Sequence, residues 1–445
     1  MKKIVILGLG SGGFAATLAI RRANPRASIT IIERRSYDMF SPCGMPFAIQ
    51  GIIGLEDLKF TLPSDQQIKK LLKHEVQAIN PEDKHVIVKN METMQVISIP
   101  YDSLIIALGA QPFIPPIKGA KENMGKGVFV LNSLENAKRI MEYAQKARKA
   151  VVIGAGAIGL EVAFALSEKL EVTVVEMLSH AFPKALDKDM AKPVEEYLES
   201  KRIRLLMNKT VESISTPVEH VYVRDEIIKT DMVVLASGVK ANLDIARKAG
   251  IETGEWGIKT NARMETNIED IYAVGDCIET VSLIHHRATV MQLSTAAFKQ
   301  GMVAGTNAAG GYETYEGALS TFVSLVGDIE VAATGFNQFH ALSAGFKVIT
   351  GKAKGKTKPE YYPGARDIML KIIADAKTGK LIGAQAVGEG AGWRINMIAL
   401  AIKCGMDVYD LTQAEMGYCP MLAENYDVIN KAADFAVRKL EKGKR

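Results

Sequence analysis

The chain has 445 residues, 48% of them hydrophobic, and 55 basic against 50 acidic side chains leave a net charge of +5. That length exceeds one ordinary core and predicts two or three domains, while the mild charge gives no case for nucleic-acid binding. No uninterrupted apolar run is long enough to span a bilayer.

The first residues, Lys3–Leu7, read as a short buried strand. The turn Gly8-Leu9-Gly10-Ser11-Gly12-Gly13 follows, then a helix through Phe14–Arg22 and a strand Ser28–Ile32 that ends in Glu33. This is a βαβ unit with a dinucleotide fingerprint. Ten residues after Glu33 comes Cys43, in Ser41-Pro42-Cys43-Gly44-Met45-Pro46-Phe47. A second cysteine five residues on could close a small disulfide loop, but that place is Ala48. A strand Ser103–Leu108 runs into Gly109, and Pro112, Pro115 and Pro116 form a stiff connection expected to act as a hinge.

The fingerprint then recurs 146 residues after the first, as Ala150–Ile153, Gly154-Ala-Gly-Ala-Ile-Gly159, a helix through Glu161–Leu170 and a strand Glu171–Val175 ending in Glu176. A strand Met232–Ala236 runs into Ser237-Gly238, and Ile271–Val274 runs into Gly275-Asp276. From about Gly317 the pattern changes. Phe322–Val326, Lys347–Thr350, Ile368–Ile373 and Leu381–Val387 suggest an antiparallel sheet. Helices are expected at Arg394–Cys404 and Leu422–Leu440. The whole is an α/β chain with two Rossmann-like units and a C-terminal α+β block.

Gly8, Gly10 and Gly13, with Gly12 beside them, suit a tight turn where a pyrophosphate approaches the backbone at a positive helix end. Glu33 can accept hydrogen bonds from a ribose hydroxyl pair. Gly154, Gly156, Gly159 and Glu176 repeat this logic. Glu176 would repel a 2′-phosphate, which favours NADH over NADPH, although the nearby His180 could soften the preference. Gly109 and Gly238 close one strand of each unit and join the cofactor-binding set. Asp276, at the end of a strand, reads either as a carboxylate for a flavin ribityl chain or as a helix N-cap.

Cys43 is expected to open a helix, where the dipole and backbone amides favour a reactive thiolate. Cys277 and Cys404 read as structural. Cys419, in Gly417-Tyr418-Cys419-Pro420, is either a second redox thiol or a small turn residue. Four scattered cysteines exclude a secreted disulfide framework, and none has zinc-ligand spacing, so no metal is expected. The short apolar start lacks a cleavage site, so a cytoplasmic location is expected, where thiols stay reduced unless catalytic.

In this order, these motifs resemble the pyridine nucleotide-disulfide oxidoreductases over essentially the whole chain. The lone cysteine resembles the branch of coenzyme A-disulfide reductases, NAD(P)H persulfide or polysulfide reductases, NADH oxidases and NADH peroxidases. The resemblance implies an FAD-binding domain of residues 1–112 and 241–318, an NAD(P)H-binding domain of 113–240 and a dimerisation domain of 319–445. It implies FAD, hydride from NADH or NADPH, and one cysteine cycling through a mixed disulfide or sulfenic acid. It also implies a homodimer acting on a small-molecule disulfide, sulfur or oxygen acceptor.

Details lean toward the coenzyme A-disulfide and sulfur-reducing side. Cys43-Gly44-Met45-Pro46-Phe47 is similar to the Cys-Gly-x-Pro-Tyr of that group, with Phe for Tyr. Tyr361-Tyr362-Pro363-Gly364 matches its Tyr-Tyr-Pro-Gly, and Tyr418-Cys419-Pro420-Met421 matches its Tyr-Ala-Pro-Pro imperfectly. By resemblance, Tyr361 and Tyr418 reach the partner subunit's cysteine. Ser11 stands where the peroxidases carry histidine, which counts against peroxidase chemistry. Arg21 and Arg22 match the region that binds the coenzyme A nucleotide, or form a solvated helix face. The leading expectation is reduction of coenzyme A disulfide, persulfide or polysulfide. An NADH oxidase working through Cys43 sulfenic acid and a reductase of a protein electron carrier are the alternatives.

Overall fold

The computed structural model describes residues 1–63 and 65–444. It divides into two compact units, one of residues 1–44, 54–113 and 239–318, the other of 45–53, 114–238 and 319–445. Among the described residues no helix is long and apolar enough to cross a membrane.

The first unit is built on a five-stranded parallel sheet. Its order is Ile271–Ala273, Ser103–Ile106, Lys3–Leu7, Ser28–Ile32 and Ile68–Leu71. The central strands are nearly continuous runs of isoleucine, valine and leucine buried on both faces, as parallel strands covered by helices require. The helix Ser11–Ala23 lies against the helix Ser294–Ala308. A Cβ on Gly301 would strike the Gly12 carbonyl oxygen, and one on Gly305 the Ala16 oxygen, so small residues bring the two backbones together. A three-stranded antiparallel meander, His74–Asn80, His85–Asn90 and Val96–Pro100, completes the unit.

The second unit repeats the plan. Its parallel order is Val128–Val130, Met232–Leu235, Lys149–Ile153, Glu171–Val175 and Arg204–Leu206. A meander of Val211–Ile214, His220–Val223 and Glu226–Lys229 accompanies it. The same unit holds a five-stranded antiparallel sheet in the order Phe322–Val326, Ile329–Gly335, Leu381–Gly388, Asp367–Asp375 and Val348–Lys356. Helices Ala391–Lys403 and Val428–Lys444 belong to this C-terminal part.

Some expected bounds move. The helix expected over Leu422–Leu440 begins at Val428, because Cys419, Pro420 and the residues to Ala423 form a turn and the Asp427 carboxylate accepts from the Ile429 N–H. The helix expected from Glu161 begins at Ala157, inside the second fingerprint, and ends at Ser167. The strand expected to Leu108 ends at Ile106. Pro112, expected within a bare connection, ends a short strand Ala110–Pro112 that pairs with Val239–Ala241.

Candidate dinucleotide and thiol sites

Strand direction places four of the expected residues at one edge of the first parallel sheet. Gly8, Glu33 and Gly109 follow the carboxyl ends of their strands, and Asp276 follows Ile271–Ala273 through Gly275. In an open α/β sheet this is the edge where ligands bind. Gly8 has φ +94° and donates its N–H to the Ile32 carbonyl at 2.8 Å. A Cβ there would lie 2.5 Å from the Ala107 carbonyl oxygen. One on Gly13 would strike the Gly8 oxygen, and one on Gly12 would lie 2.9 Å from Val274. Gly10 alone faces open space. The glycines expected to share one task therefore divide: Gly8, Gly12 and Gly13 let strand and helix close, and Gly10 leaves room for a ligand.

The helix Ser11–Ala23 starts at Gly10 with no side-chain cap, which leaves its first N–H groups available to an anion. Ser294 opens the helix Ser294–Ala308, also uncapped, and its hydroxyl lies 2.7 Å from that of Ser11. Two helix N-termini thus meet beside the glycine turn. The sequence marked Ser11 only by its position and gave no sign of Ser294.

Glu33 is 7% exposed. Its Oε2 accepts from the Leu9 N–H at 2.8 Å and from Arg35 Nη2 at 2.7 Å, and Oε1 accepts from the Arg35 N–H at 3.0 Å. Burial pushes this carboxyl up, but the hydrogen bonds and charge of Arg35 and the Leu9 N–H outweigh it and hold the group below its ordinary value. A carboxylate has about four acceptor positions, so Glu33 keeps capacity for a ribose hydroxyl. Asp276 sits in a 3-10 turn, Gly275–Cys277, and burial alone lifts its pKa to about 6. No hydrogen bond from the described residues reaches its carboxylate, and it caps no helix, so the N-cap alternative is not what the fold uses. These features fit FAD: an open glycine at uncapped amides, an acid at the ribose position and an unsatisfied carboxylate on the same edge.

The second unit repeats the backbone hydrogen bonds of the first, with no counterpart among the described residues to the Arg35 guanidinium on its acid. Gly154 has φ +112° and donates to the Val175 carbonyl at 2.9 Å. A Cβ on it would lie 2.5 Å from the Ala236 oxygen, one on Gly159 would strike the Gly154 oxygen, and Gly156 faces open space. Glu176, also 7% exposed, accepts from the Ala155 N–H at 2.7 Å and the Leu178 N–H at 2.8 Å. Gly238 has φ +94°, and the Ser237 hydroxyl before it is buried with no hydrogen-bond partner. An orphaned hydroxyl where Met232–Leu235 and Lys149–Ile153 end suits a second dinucleotide. His180 is engaged within its own loop. Its Nε2 donates to the Leu186 carbonyl at 2.9 Å, and Nδ1 lies 2.8 Å from Ser179 Oγ.

Glu161 went unremarked as a site residue in the sequence. It is the only charged residue of the helix Ala157–Ser167, and that isolation is the signal that could have found it. Ser324 Oγ donates to its carboxylate at 2.6 Å. Burial raises the Glu161 pKa to about 7, and the Ser324 bond offsets only part of the effect.

Cys43 lies exposed in a 3-10 turn, Pro42–Gly44, that immediately precedes the short helix Met45–Gln50. It thus stands one turn before the helix it was expected to open. Cys277 is buried, its Sγ donating to the Val274 carbonyl at 3.2 Å, and burial pushes its pKa to about 11, as suits a packing residue. Cys404 is exposed and Cys419 half-buried.

Tyr361 and Tyr418 come from segments 57 residues apart, and their exposed hydroxyls lie 3.2 Å from each other. The hydrogen bond that Tyr418 shares with Tyr361 holds its phenol above the ordinary value. Arg21 is drawn into an ion pair with Asp65 at 2.7 Å and a bond to the Pro25 carbonyl, while Arg22 is exposed. Among the described residues no cluster of His, Cys, Asp and Glu could hold a metal ion.

The profile of the pyridine nucleotide-disulphide oxidoreductases matches residues 2–301, and that of their dimerisation domain matches 322–428. The chain belongs to this family and is an oxidoreductase that uses FAD and a pyridine nucleotide. It is 35% identical to an NADH oxidase of Methanocaldococcus jannaschii, across 98% of this chain and 99% of the relative. It is 34% identical to a coenzyme A-dependent NAD(P)H sulfur oxidoreductase of Pyrococcus furiosus, across 96% and 97%. The solved structure of an NAD-dependent persulfide reductase from A. fulgidus superposes with a TM-score of 0.94 at 34% identity, covering 99% of this chain and 84% of that one.

Proposed function

We propose that this enzyme uses NADH to reduce the sulfur–sulfur bond of a small disulfide, persulfide or polysulfide, coenzyme A disulfide among them, through Cys43. The observation that carries the reading is the pair of exposed phenols, Tyr361 and Tyr418, hydroxyl to hydroxyl at 3.2 Å in the segment that matches a dimerisation domain. Such a pair suits proton delivery to a departing thiolate. Names of relatives that act on sulfur and on coenzyme A support the same choice.

In this reading residues 1–112 and 241–318 hold FAD, with Gly10, Glu33 and Asp276 as its contacts. Residues 113–240 hold NADH, with Gly156, Glu176 and Gly238, and 319–445 form the interface of a homodimer. Trp393, Met397 and Leu400 support the last point, since they leave an exposed apolar stripe along one face of the helix Ala391–Lys403. Bound FAD supplies the two-electron chemistry that links reduced nicotinamide to sulfur.

At Cys43 the thiolate attacks one sulfur of the substrate. A bond forms from Cys43 Sγ to that sulfur, the substrate S–S bond breaks, and the leaving thiolate takes a proton. Tyr418 of the partner subunit donates it, held by Tyr361. Two electrons from NADH then cleave the mixed disulfide on Cys43 and release the second thiol. The balance is NADH, one proton and one disulfide giving NAD⁺ and two thiols. Arg22 is open to the acidic coenzyme A nucleotide, whereas Arg21 would first have to leave Asp65.

The test is NADH consumption by the holoenzyme with coenzyme A disulfide, with polysulfide, and with oxygen alone. Turnover with a sulfur acceptor under anaerobic conditions that exceeds turnover in air supports the proposal. Faster turnover with oxygen alone favours the second reading, an NADH oxidase cycling Cys43 through sulfenic acid, which the name of the Methanocaldococcus relative favours.

A further inference from the structure

Arg394 and Asp427 form an ion pair with both side chains almost fully buried, 1% and 2% exposed. Arg394 Nε lies 3.1 Å from each Asp427 oxygen, Nη2 donates to Oδ2 at 2.7 Å, and Nη1 donates to the Gly390 carbonyl at 3.2 Å. Gly390 has φ +76°, and a Cβ on it would lie 2.7 Å from Nη1, so the chain is shaped to admit the guanidinium. The indole of Trp393 covers it, with Cζ 4.2 Å from the ring centre.

Burying two charges is costly, and apolar residues of similar volume often serve stability as well or better. What the pair adds is fixed geometry, and its position says for what. Asp427 is the residue at which the segment after the helix Val408–Gln413 rejoins regular structure at Val428. That segment carries Tyr418 and has only the short turn at Cys419–Ala423 for internal order. Its near end is held as well: Asn430, 3% exposed, donates through Nδ2 to the carbonyls of Leu411 at 2.9 Å and Ala414 at 3.0 Å. The Tyr418 hydroxyl has the Tyr361 hydroxyl as its partner. The placement of Tyr418 thus depends on how the two ends of its loop are pinned.

We infer that the buried Arg394–Asp427 pair is a positioning device for Tyr418, fixing the loop that presents this phenol for proton transfer. The inference rests on the role proposed above for Tyr418. Neither charged residue touches the reacting atoms.

The test uses the FAD-loaded enzyme and three variants: R394M/D427N, which removes both charges and keeps an acceptor for the Ile429 N–H, Y418F, and the triple combination. Readouts are kcat and KM with coenzyme A disulfide, the rate at which NADH bleaches the flavin in a stopped-flow mixer, and the melting midpoint. R394M/D427N should bleach as fast as wild type yet lose kcat ~10-fold, within the ~100-fold that a misplacement of about 1 Å can cost. The triple variant should be no slower than Y418F. Losses that multiply in the triple variant, or a wild-type kcat in R394M/D427N beside an impaired Y418F, overturn the inference and leave the role of Tyr418 standing. A wild-type kcat in Y418F overturns both. Should R394M/D427N not fold, R394K serves, because lysine keeps the charge but cannot make the forked bonds. It should show the same loss and the same lack of additivity, and a fully active R394K counts against the pair's role.

Discussion

Ser324 Oγ donates a hydrogen bond to Glu161 across 2.6 Å, joining a strand of the C-terminal antiparallel sheet to the helix that follows the second glycine turn. The carboxyl it reaches is buried enough that its pKa rises from 4.5 to about 7. Between those values the folded chain holds a proton that the unfolded chain has lost, so stability falls as pH rises across the window. The penalty is complete above about pH 7. Denaturant unfolding at pH 5 and pH 8 should show the E161Q variant losing this slope and gaining at pH 8 relative to wild type. The gain should not exceed about 3.5 kcal/mol, at about 1.4 kcal/mol per pH unit. Equal effects at both pH values would contradict the assignment.

Lys371 is buried between Asp187 and Asp189, with Nζ 2.9 Å from a carboxylate oxygen of each. Gln385 completes the cluster, donating to Asp187 Oδ2 at 2.9 Å and accepting from the Asp187 N–H at 2.8 Å. Replacing the lysine leaves a buried carboxylate without its counter-charge. K371M should cost about 3–5 kcal/mol in denaturant unfolding, whereas K352M, whose lysine is more exposed and pairs only with Asp189, should cost under about 1 kcal/mol.

The glycines of the first turn separate folding from cofactor binding. Gly10 has φ −85° and open space where a Cβ would go, so G10A should fold normally and hold FAD more weakly. A Cβ at position 13 runs into the Gly8 backbone oxygen, so G13A should fail to accumulate as folded protein. FAD titration followed by flavin fluorescence, with melting curves of both variants, reads the difference.

Glu176 presents a carboxylate, with two backbone donors already bound, at the edge assigned to NADH. E176Q should raise KM for NADH by about 10- to 100-fold, the range for losing a hydrogen bond to a charged group, and lower KM for NADPH. Steady-state kinetics with both nucleotides measures the ratio. An unchanged ratio would place the ribose elsewhere.

Both glycine fingerprints, their flanking strands and the closing acids Glu33 and Glu176 were legible in the sequence, because a tight strand-turn-helix leaves few residue choices at each step. Four of the antiparallel strands near the C-terminus were read in the sequence, but Ile329–Gly335 was not, although Asp367–Asp375 and Leu381–Gly388 among those four are as continuously buried as its Val331-Ala332-Ala333-Thr334 run. The different tasks of Gly8, Gly10 and Gly13 were hidden, because they depend on which backbone each glycine meets. So were Ser294, Ser324 and the Arg394–Asp427 pair, whose partners lie from 33 to 283 residues away along the chain. The start of the last helix was misplaced because Leu422 and Ala423 suit a helix locally, while Pro420 and the Asp427 cap decide where it begins.

In the proposed reaction the Cys43 sulfur passes electrons from reduced cofactor to a disulfide. The most direct test of this step is C43S, purified with FAD and mixed with NADH in the absence of oxygen. The flavin should bleach at the wild-type rate while coenzyme A disulfide and polysulfide turnover falls to background. A C43S enzyme that still reduces either acceptor at the wild-type rate would contradict it.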